Sequence, residues 1–298
     1  MRGEFNIESN DNTLFTTARC NNNCIMCCQP PLNNDDIDEL FEKNVQIIKS
    51  APKDISIVGI SGGEPTLLGD KLVDLIKLIR EELPQSGIHL LSNGRNFKDS
   101  EYTRRVTESA EGKLVVGVPL HSDYYKDHDI IAGAKNAYYE TITGLFNLAS
   151  YGAGIELRIV INKLNYMRLP QLAEFIQKNL PFVEWTAFMG MEYIGYAVKN
   201  KQNIWIEPVE YISNLIEAVK IMAQWHLDVS IYNIPLCLLP EEAHEFARQS
   251  VSDWKVKYLP ICEDCKLKSQ CCGLFATSQQ VYNGLKPMNN EFRMPLNI

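Results

Sequence analysis

Nine cysteines stand in a chain of 298 residues, and they fall into two groups. Cys20, Cys24, Cys27 and Cys28 crowd near the N-terminus, Cys237, Cys262, Cys265, Cys271 and Cys272 lie near the C-terminus, and none falls between. Thiolates are ligands for zinc and for iron–sulfur clusters, so two tight groups predict metal sites rather than a disulfide framework. Such a framework belongs to small secreted domains, and the opening MRGEFNIESNDN lacks the apolar core of a secretory signal. The first group, Cys20-x3-Cys24-x2-Cys27, puts three thiolates in one loop with no fourth Cys or His close by. Cys28 abuts Cys27, and adjacent side chains rarely reach the same centre. Iron–sulfur cubes are commonly held by four cysteines, so three leave one iron for another molecule. Zinc with a remote fourth ligand, or plain buried thiols, are the alternatives. In the second group, Cys262-x2-Cys265-x5-Cys271-Cys272 follows Cys237. Five thiols serve four places, which Cys237, Cys262, Cys265 and Cys271 fill, with Cys272 as alternate to Cys271. A zinc knuckle fits this spacing as well as a cluster does.

Something must hold these groups in place. Strand-like runs are read at Thr13–Thr17, Ile55–Ile60, Ile88–Ser92, Lys113–Leu120, Gly154–Ile161, Phe182–Phe188 and Asp228–Tyr232. Amphipathic stretches fill 35–50, 69–83, 99–110, 138–151, 169–179 and 208–226 between them. Strands alternating with helices predict parallel pairing through right-handed crossovers. Six such units and a seventh strand fall short of an eight-fold barrel. The fold class is α/β: a partial (β/α)6 TIM barrel over 1–235 with a small Cys-rich appendage over 236–298. A doubly wound open sheet is the alternative.

In a parallel barrel, chemistry gathers where strands end. Cys20–Cys27 follow the first predicted strand, Gly62-Gly63-Glu64-Pro65 the second, Asn93-Gly94 the third and His121-Ser122 the fourth. Asn162 closes the fifth strand, and Met189–Ala197 follow the sixth. Glycines let the backbone approach a ligand, and Glu64 or nearby carbonyls can accept from an ammonium group. Arg158 lies within the fifth strand, and a basic residue projecting into a barrel needs an anion.

CNNNCIMC after one strand and GGEP after the next resemble the radical S-adenosylmethionine (SAM) superfamily. The resemblance implies a 4Fe-4S cluster on Cys20, Cys24 and Cys27 whose open iron is chelated by SAM. It implies that Gly62, Gly63, Glu64 and Pro65 hold the methionine amino group, that Met26 lies near the adenine, and that Asn93, within a Ser92-Asn93-Gly94 version of the "TNG" element, lines the pocket. It further suggests Ser122, Arg158 and Asn162 as contacts to the ribose or carboxylate. Met191-Glu192-Tyr193-Ile194-Gly195-Tyr196-Ala197 looks like the element whose backbone reads the adenine edge, with Tyr193 where Pro is usual. The C-terminal spacing resembles the SPASM/twitch appendages of peptide-acting members, in a short version with one auxiliary 4Fe-4S cluster on Cys237, Cys262, Cys265 and Cys271. LFTTARCNNNCIMCCQPP (14–31) and CEDCKLKSQCCGLFATS (262–278) are similar to the His-Xaa-Ser system radical SAM maturases of the HxsC type, in which Ser is expected at Cys28. That resemblance implies a ribosomally made peptide as substrate, cross-linked or otherwise modified after a 5′-deoxyadenosyl radical abstracts hydrogen from it. The short N-terminus leaves no room for a leader-peptide recognition domain, so a separate recognition partner is expected, with an electron donor of the flavodoxin or ferredoxin type. No individual catalytic side chain is identified.

Composition narrows the field. Lys+Arg 29 against Asp+Glu 37 gives a net charge of −8, which argues against general affinity for nucleic acid or anionic membranes. No apolar run reaches the ~20 residues of a bilayer span. The expected location is cytoplasmic. Two competing readings are a radical SAM enzyme with a small-molecule substrate and a zinc-stabilised binding protein without catalysis.

Overall fold

In the computed structural model, which describes residues 5–6 and 12–289, the strands form one parallel sheet in chain order. Its strands are β1 (Thr13–Phe15), β2 (Ile57–Ser61), β3 (Gly87–Leu91), β4 (Leu114–Pro119), β5 (Gly154–Val160), β6 (Trp185–Met189), β7 (Asp228–Tyr232) and β8 (Ala247–Arg248). β1 and β8 are the two free edges, so the barrel is partial and open. The crossovers are α1 (Ile37–Ser50), α2 (Asp70–Glu82), α3 (Ser100–Ser109), α4 (Tyr125–Ala132), α5 (Ala137–Ser150), α6 (Leu169–Asn179), the short α7 (Tyr196–Lys199) and α8 (Lys201–Ile204), and α9 (Pro208–Gln224). A two-stranded antiparallel ladder, β9 (Val256–Lys257) with β10 (Leu274–Phe275), lies in the C-terminal segment.

Local sequence explains these elements. Leu72, Leu75, Ile76 and Ile79 recur at helical spacing in α2 and are fully buried. The Asp99 side chain accepts from Tyr102 N–H and starts α3. α9 opens on a capping box between Glu207 and Glu210 with Pro208 in its first turn. Along β5, Ile155, Leu157 and Ile159 are buried against the helices, while Glu156 and Arg158 alternate onto the inner face. Parallel pairing sets Arg158 beside Ala187 of β6 and Pro119 of β4.

The structure adds short elements to the sequence reading, α4, α7, α8, β8, β9 and β10, two of which shape the sheet and its crossovers. α4 is only eight residues long and precedes α5 in the same crossover. β8 is two residues long, too short to show a period, and it pairs with Ile231 and Tyr232 of β7. The sheet therefore takes its last strand from beyond residue 235. Among the described residues no helix is long and apolar enough to cross a membrane.

Candidate active site

The loop after β1 is fastened on every side. From below, Gly63 N–H donates to Thr17 O at 2.7 Å and Glu64 N–H to Arg19 O at 2.8 Å. A Cβ on Gly63 would stand 2.2 Å from Arg19 O, so only glycine permits this approach. From one flank, Asn23 N–H and Ile25 N–H donate to Ala132 O and Ile131 O, both at 3.0 Å. Gly133 closes α4 at φ +61°, and a Cβ there would stand 2.1 Å from Asn23 O. From the other flank, Tyr196 N–H donates to Cys27 O at 2.9 Å and Asn200 Nδ2 to Ile25 O at 2.8 Å. Arg95 completes the frame, donating from Nη1 to Asn21 O at 2.5 Å and Asn22 Oδ1 at 2.8 Å. Its Nε bonds Glu140 at 2.7 Å. Met26 anchors the loop from inside, in an apolar cluster with Ile131, Met191, Tyr193, Ala197 and Ile204.

This frame brings the three thiols together. Burial pushes the Cys24 thiol up to about 12, and the nearby Cys27 and Cys20 push it the same way. Burial likewise raises Cys27 to about 11, with Cys28 and Cys20 adding to it. Cys20 Sγ accepts from Asn22 N–H at 3.4 Å. Among the described residues no three His, Cys, Asp or Glu side chains converge as ligands of one ion. Thiolates bound to different irons of a cube stand further apart than ligands of one zinc. Three soft donors, with Cys28 too close to Cys27 along the chain to share its centre, and adjoining backbone that glycines bring close fit a cluster with one iron left for another ligand.

Glu64 ties this loop to its neighbour. It is fully buried, and Oε1 accepts from Thr66 N–H (2.9 Å), Thr66 Oγ1 (2.5 Å) and Ser92 Oγ (2.8 Å). Oε2 accepts from Asn93 N–H at 2.7 Å. Burial raises its pKa, and these donors oppose the rise. The Glu64 side chain is thus a strut between the turns after β2 and β3, with Pro65 starting the 3-10 turn it caps. Asn93 reaches the cysteine loop, donating from Nδ2 to Asn21 Oδ1 at 2.5 Å and standing 3.9 Å from Cys20 Sγ.

The other expected contacts sit less directly. Ser122 is buried, and its Oγ accepts from Tyr124 N–H at 3.1 Å, bracing the entry to α4. Asn162 is buried in its own turn, accepting from Leu164 N–H (2.9 Å) and donating to Val160 O (3.1 Å). Arg158 Nη1 contacts both Glu156 oxygens, at 2.9 and 3.0 Å, so its anion lies two residues away on the same strand face. Glu156 also meets His89 Nε2 at 2.8 Å. Burial pushes the Glu156 carboxyl up, but His89 and Arg158 outweigh that and hold it below its usual range. Met191 is buried against the cysteine loop. Spacing alone did not point to Asn21, Asn22, Arg95, Gly133 or the His89–Glu156 pair. The period of two along β5 could have paired Glu156 with Arg158.

Four of the five C-terminal cysteines gather at one place. Cys237, Cys262, Cys265 and Cys271 all line one cavity of about 30 Å³, and Cys272 does not line it. That volume holds a water or two. Thiols are metal ligands by chemistry, but among the described residues no three of them converge on one ion, and a cavity of this size does not hold a four-iron cube as it stands.

A partial parallel barrel with a three-thiol loop at its first strand end and a glycine-backed turn at its second defines a class. Residues 14–176, more than half of the chain, match the Radical SAM superfamily, and the protein belongs to it. Fe-coproporphyrin III synthase of Methanosarcina barkeri is 28% identical over 189 residues, 61% of this chain and 44% of that protein. Among solved structures, Streptococcus suis SuiB bound to S-adenosylmethionine has a TM-score of 0.58 at 15% identity, covering 74% of this chain and 49% of that one. SuiB is also known bound to the precursor peptide SuiA. anSMEcpe with bound AdoMet and Cp18Cys peptide has a TM-score of 0.57 at 17% identity, covering 74% of this chain and 62% of that one. These two structures share the fold. The chain spans less than half the length of the synthase and of SuiB. Membership carries the expectation of SAM and one 4Fe-4S cluster.

Proposed function

We propose that this chain is a radical SAM enzyme that abstracts hydrogen from a ribosomally made peptide and so modifies or cross-links it. The observation that carries this reading is the braced loop of Cys20, Cys24 and Cys27, held by the turns after β2 and β3 and by α4 and α7. In this reading those three thiolates hold the 4Fe-4S cluster. Cluster and SAM together supply a 5′-deoxyadenosyl radical. The chain's own part is to position and to exclude water. Glu64 spends its side chain on Thr66, Ser92 and Asn93, so the Gly62-Gly63 backbone is left to receive the SAM amino group. Asn93 lines the SAM pocket, and the Met191 backbone serves the adenine. Ser122 and Asn162 act through the turns they brace, and Arg158 presents its remaining N–H groups to the barrel interior.

Residues 236–298 form the auxiliary region, with Cys237, Cys262, Cys265 and Cys271 on a second 4Fe-4S cluster. The family resemblance to His-Xaa-Ser maturases, and the fold likeness to SuiB and anSMEcpe, each known with a peptide, support a peptide substrate. A lateral cavity of about 610 Å³ beside β1, lined by Phe15, Ser61, Cys28, Ile194 and Trp254 among others, is of ligand-binding size. A separate leader-recognition protein and a flavodoxin- or ferredoxin-type donor complete the system. The 28% identity to a coproporphyrin synthase favours a second reading, a small-molecule substrate.

Isotope transfer separates the two. The cluster-loaded protein is reduced with SAM and a deuterated precursor peptide encoded beside its gene. Deuterium appearing in 5′-deoxyadenosine supports the peptide reading. Deuterium transferred only from a labelled tetrapyrrole carboxylate supports the second.

A further inference from the structure

Ile25, the residue after Cys24, lines an open groove of about 500 Å³. Ile130 of α4, Lys163 and Leu164 after β5, and Asn200 and Asn203 at α8 line it too. The cysteine loop is tied to both sides of this groove. Ile25 N–H donates to Ile131 O at 3.0 Å, and Ile25 O accepts from Asn200 Nδ2 at 2.8 Å. Met26, the next residue, packs the other way, into the apolar cluster with Met191 and Tyr193. A molecule in the groove therefore lies against the residue beside Cys24, with the loop's backbone between it and the barrel interior.

The chemistry of the groove is apolar at its centre and basic around it. Ile130 is 58% exposed and Leu164 38%. No acidic side chain lines the groove. Lys163 lines it, and the exposed Lys199 and Lys201 stand on either side of Asn200. Lys199 Nζ lies 5.2 Å over the Tyr196 ring and Lys201 Nζ 5.6 Å over the Tyr193 ring, rather than on a carboxylate. The acids of the α4 side are engaged elsewhere. Asp123 pairs with Arg168, whose cation also feels Asp127, and Asp129 accepts from Asn136 N–H and Tyr138 N–H. This local positive rim stands out on a chain whose net charge is −8.

We infer that this groove is the docking surface for an acidic one-electron carrier protein of the flavodoxin or ferredoxin type. Ile130 and Leu164 form its contact, and Lys163, Lys199 and Lys201 steer the carrier to it. This rests on the proposed reading, in which SAM cleavage consumes an electron. In the transfer the carrier loses one electron, as when a flavin hydroquinone becomes the semiquinone, and the centre on the first cysteine loop gains it. Transfer falls steeply with distance, so the carrier has to sit against that loop. An apolar centre with a charged rim suits a protein interface, and opposite charge speeds the encounter. A substrate fits this place poorly, because it must bring a hydrogen atom into the barrel and the loop stands in the way.

The test uses the full chain, reconstituted anaerobically, with an oxidised flavodoxin and a ferredoxin as probes. Titration calorimetry at low salt reads binding without any turnover. Lys163→Glu/Lys199→Glu/Lys201→Glu should bind its carrier at least ~10-fold more weakly than wild type, and the wild-type affinity should fall as salt is added. The corresponding Lys→Gln set should shift the same way by less. SAM cleavage driven by limiting reduced carrier should fall with the affinity, while cleavage driven by dithionite, which needs no docking, should be unchanged. Wild-type affinity for the carriers in both sets, or no binding of either carrier by wild type, would overturn the docking surface. Loss of precursor-peptide binding with carrier binding intact would overturn it too and give the groove to the peptide. Failure of the underlying reading looks different: wild type would make no 5′-deoxyadenosine even with dithionite.

Discussion

The two cysteine regions are built in opposite ways. The first loop is held by backbone and side-chain bonds from four neighbouring elements, and Arg19 O and Asn23 O lie so close to Gly63 and Gly133 that no side chain fits. Its shape is fixed by bonds to the barrel's own elements. The second region consists of 3-10 turns, a two-residue ladder and a cavity of about 30 Å³ walled by thiols. Little regular structure supports it, so its order depends more on what it binds. On the proposed reading, the fold would supply rigidity where a coordination position stays open, and a bound metal would supply it at the C-terminal thiols.

Metal removal breaks this comparison most sharply. Chelation should make the segment after residue 250 cleavable by limited proteolysis at least ~10-fold faster, while 12–235 stays resistant. Equal protection of both regions, read by mass spectrometry of the fragments, would show that the contrast is wrong. Next comes Gly133→Ala, which forces a Cβ against Asn23 O and strains a left-handed residue at φ +61°. The metal-free chain should lose about 3 kcal/mol in denaturant unfolding. Gly112 also has positive φ but open space around it, so Gly112→Ala is the control and should lose less.

A pH effect of middle size sits beside the first loop. Burial lowers His128 to about 4 from 6.5, and the Arg95 charge adds to this. A histidine with a depressed folded pKa contributes stability above about 6.5 that is lost as pH falls toward 4. By pH 5 the loss is about 2 kcal/mol, and His128→Gln should flatten that slope in a plot of melting temperature against pH, leaving the part due to the adjacent His121, which burial also lowers. The smallest effect is Ser92→Ala, which deletes one of the donors to Glu64 and should lower stability by about 1 kcal/mol with SAM affinity reduced. A change in affinity without any change in stability would mean that Ser92 touches the ligand rather than the strut.

Local features were legible and relational ones were not. The seven longer strands and six amphipathic helices stand out because each carries a period of its own, and β7 matches Asp228–Tyr232 to the residue. α4 has a weak apolar face and β8 two residues, so neither has a period to read. Cysteine spacing and the Gly-Gly-Glu-Pro turn are contiguous, and the structure joins them through Asn93 and Glu64. Which way Glu64 points was not legible, because its partners Ser92 and Asn93 come from the next strand end. Ser122 and Asn162 stand at the rim as read from the strand ends. Each spends polar groups on its own turn, a preference of Ser and Asn that competes with ligand contact.

The central claim is that SAM cleavage belongs to the first cysteine region alone. It is tested by measuring iron and 5′-deoxyadenosine in reconstituted wild type, Cys24→Ala and Cys262→Ala under reductant. Wild type should bind about eight irons and cleave SAM. Cys24→Ala should make no 5′-deoxyadenosine and keep about four irons. Cys262→Ala should still cleave SAM while losing the other four or so. Cleavage that persists in Cys24→Ala would contradict the account.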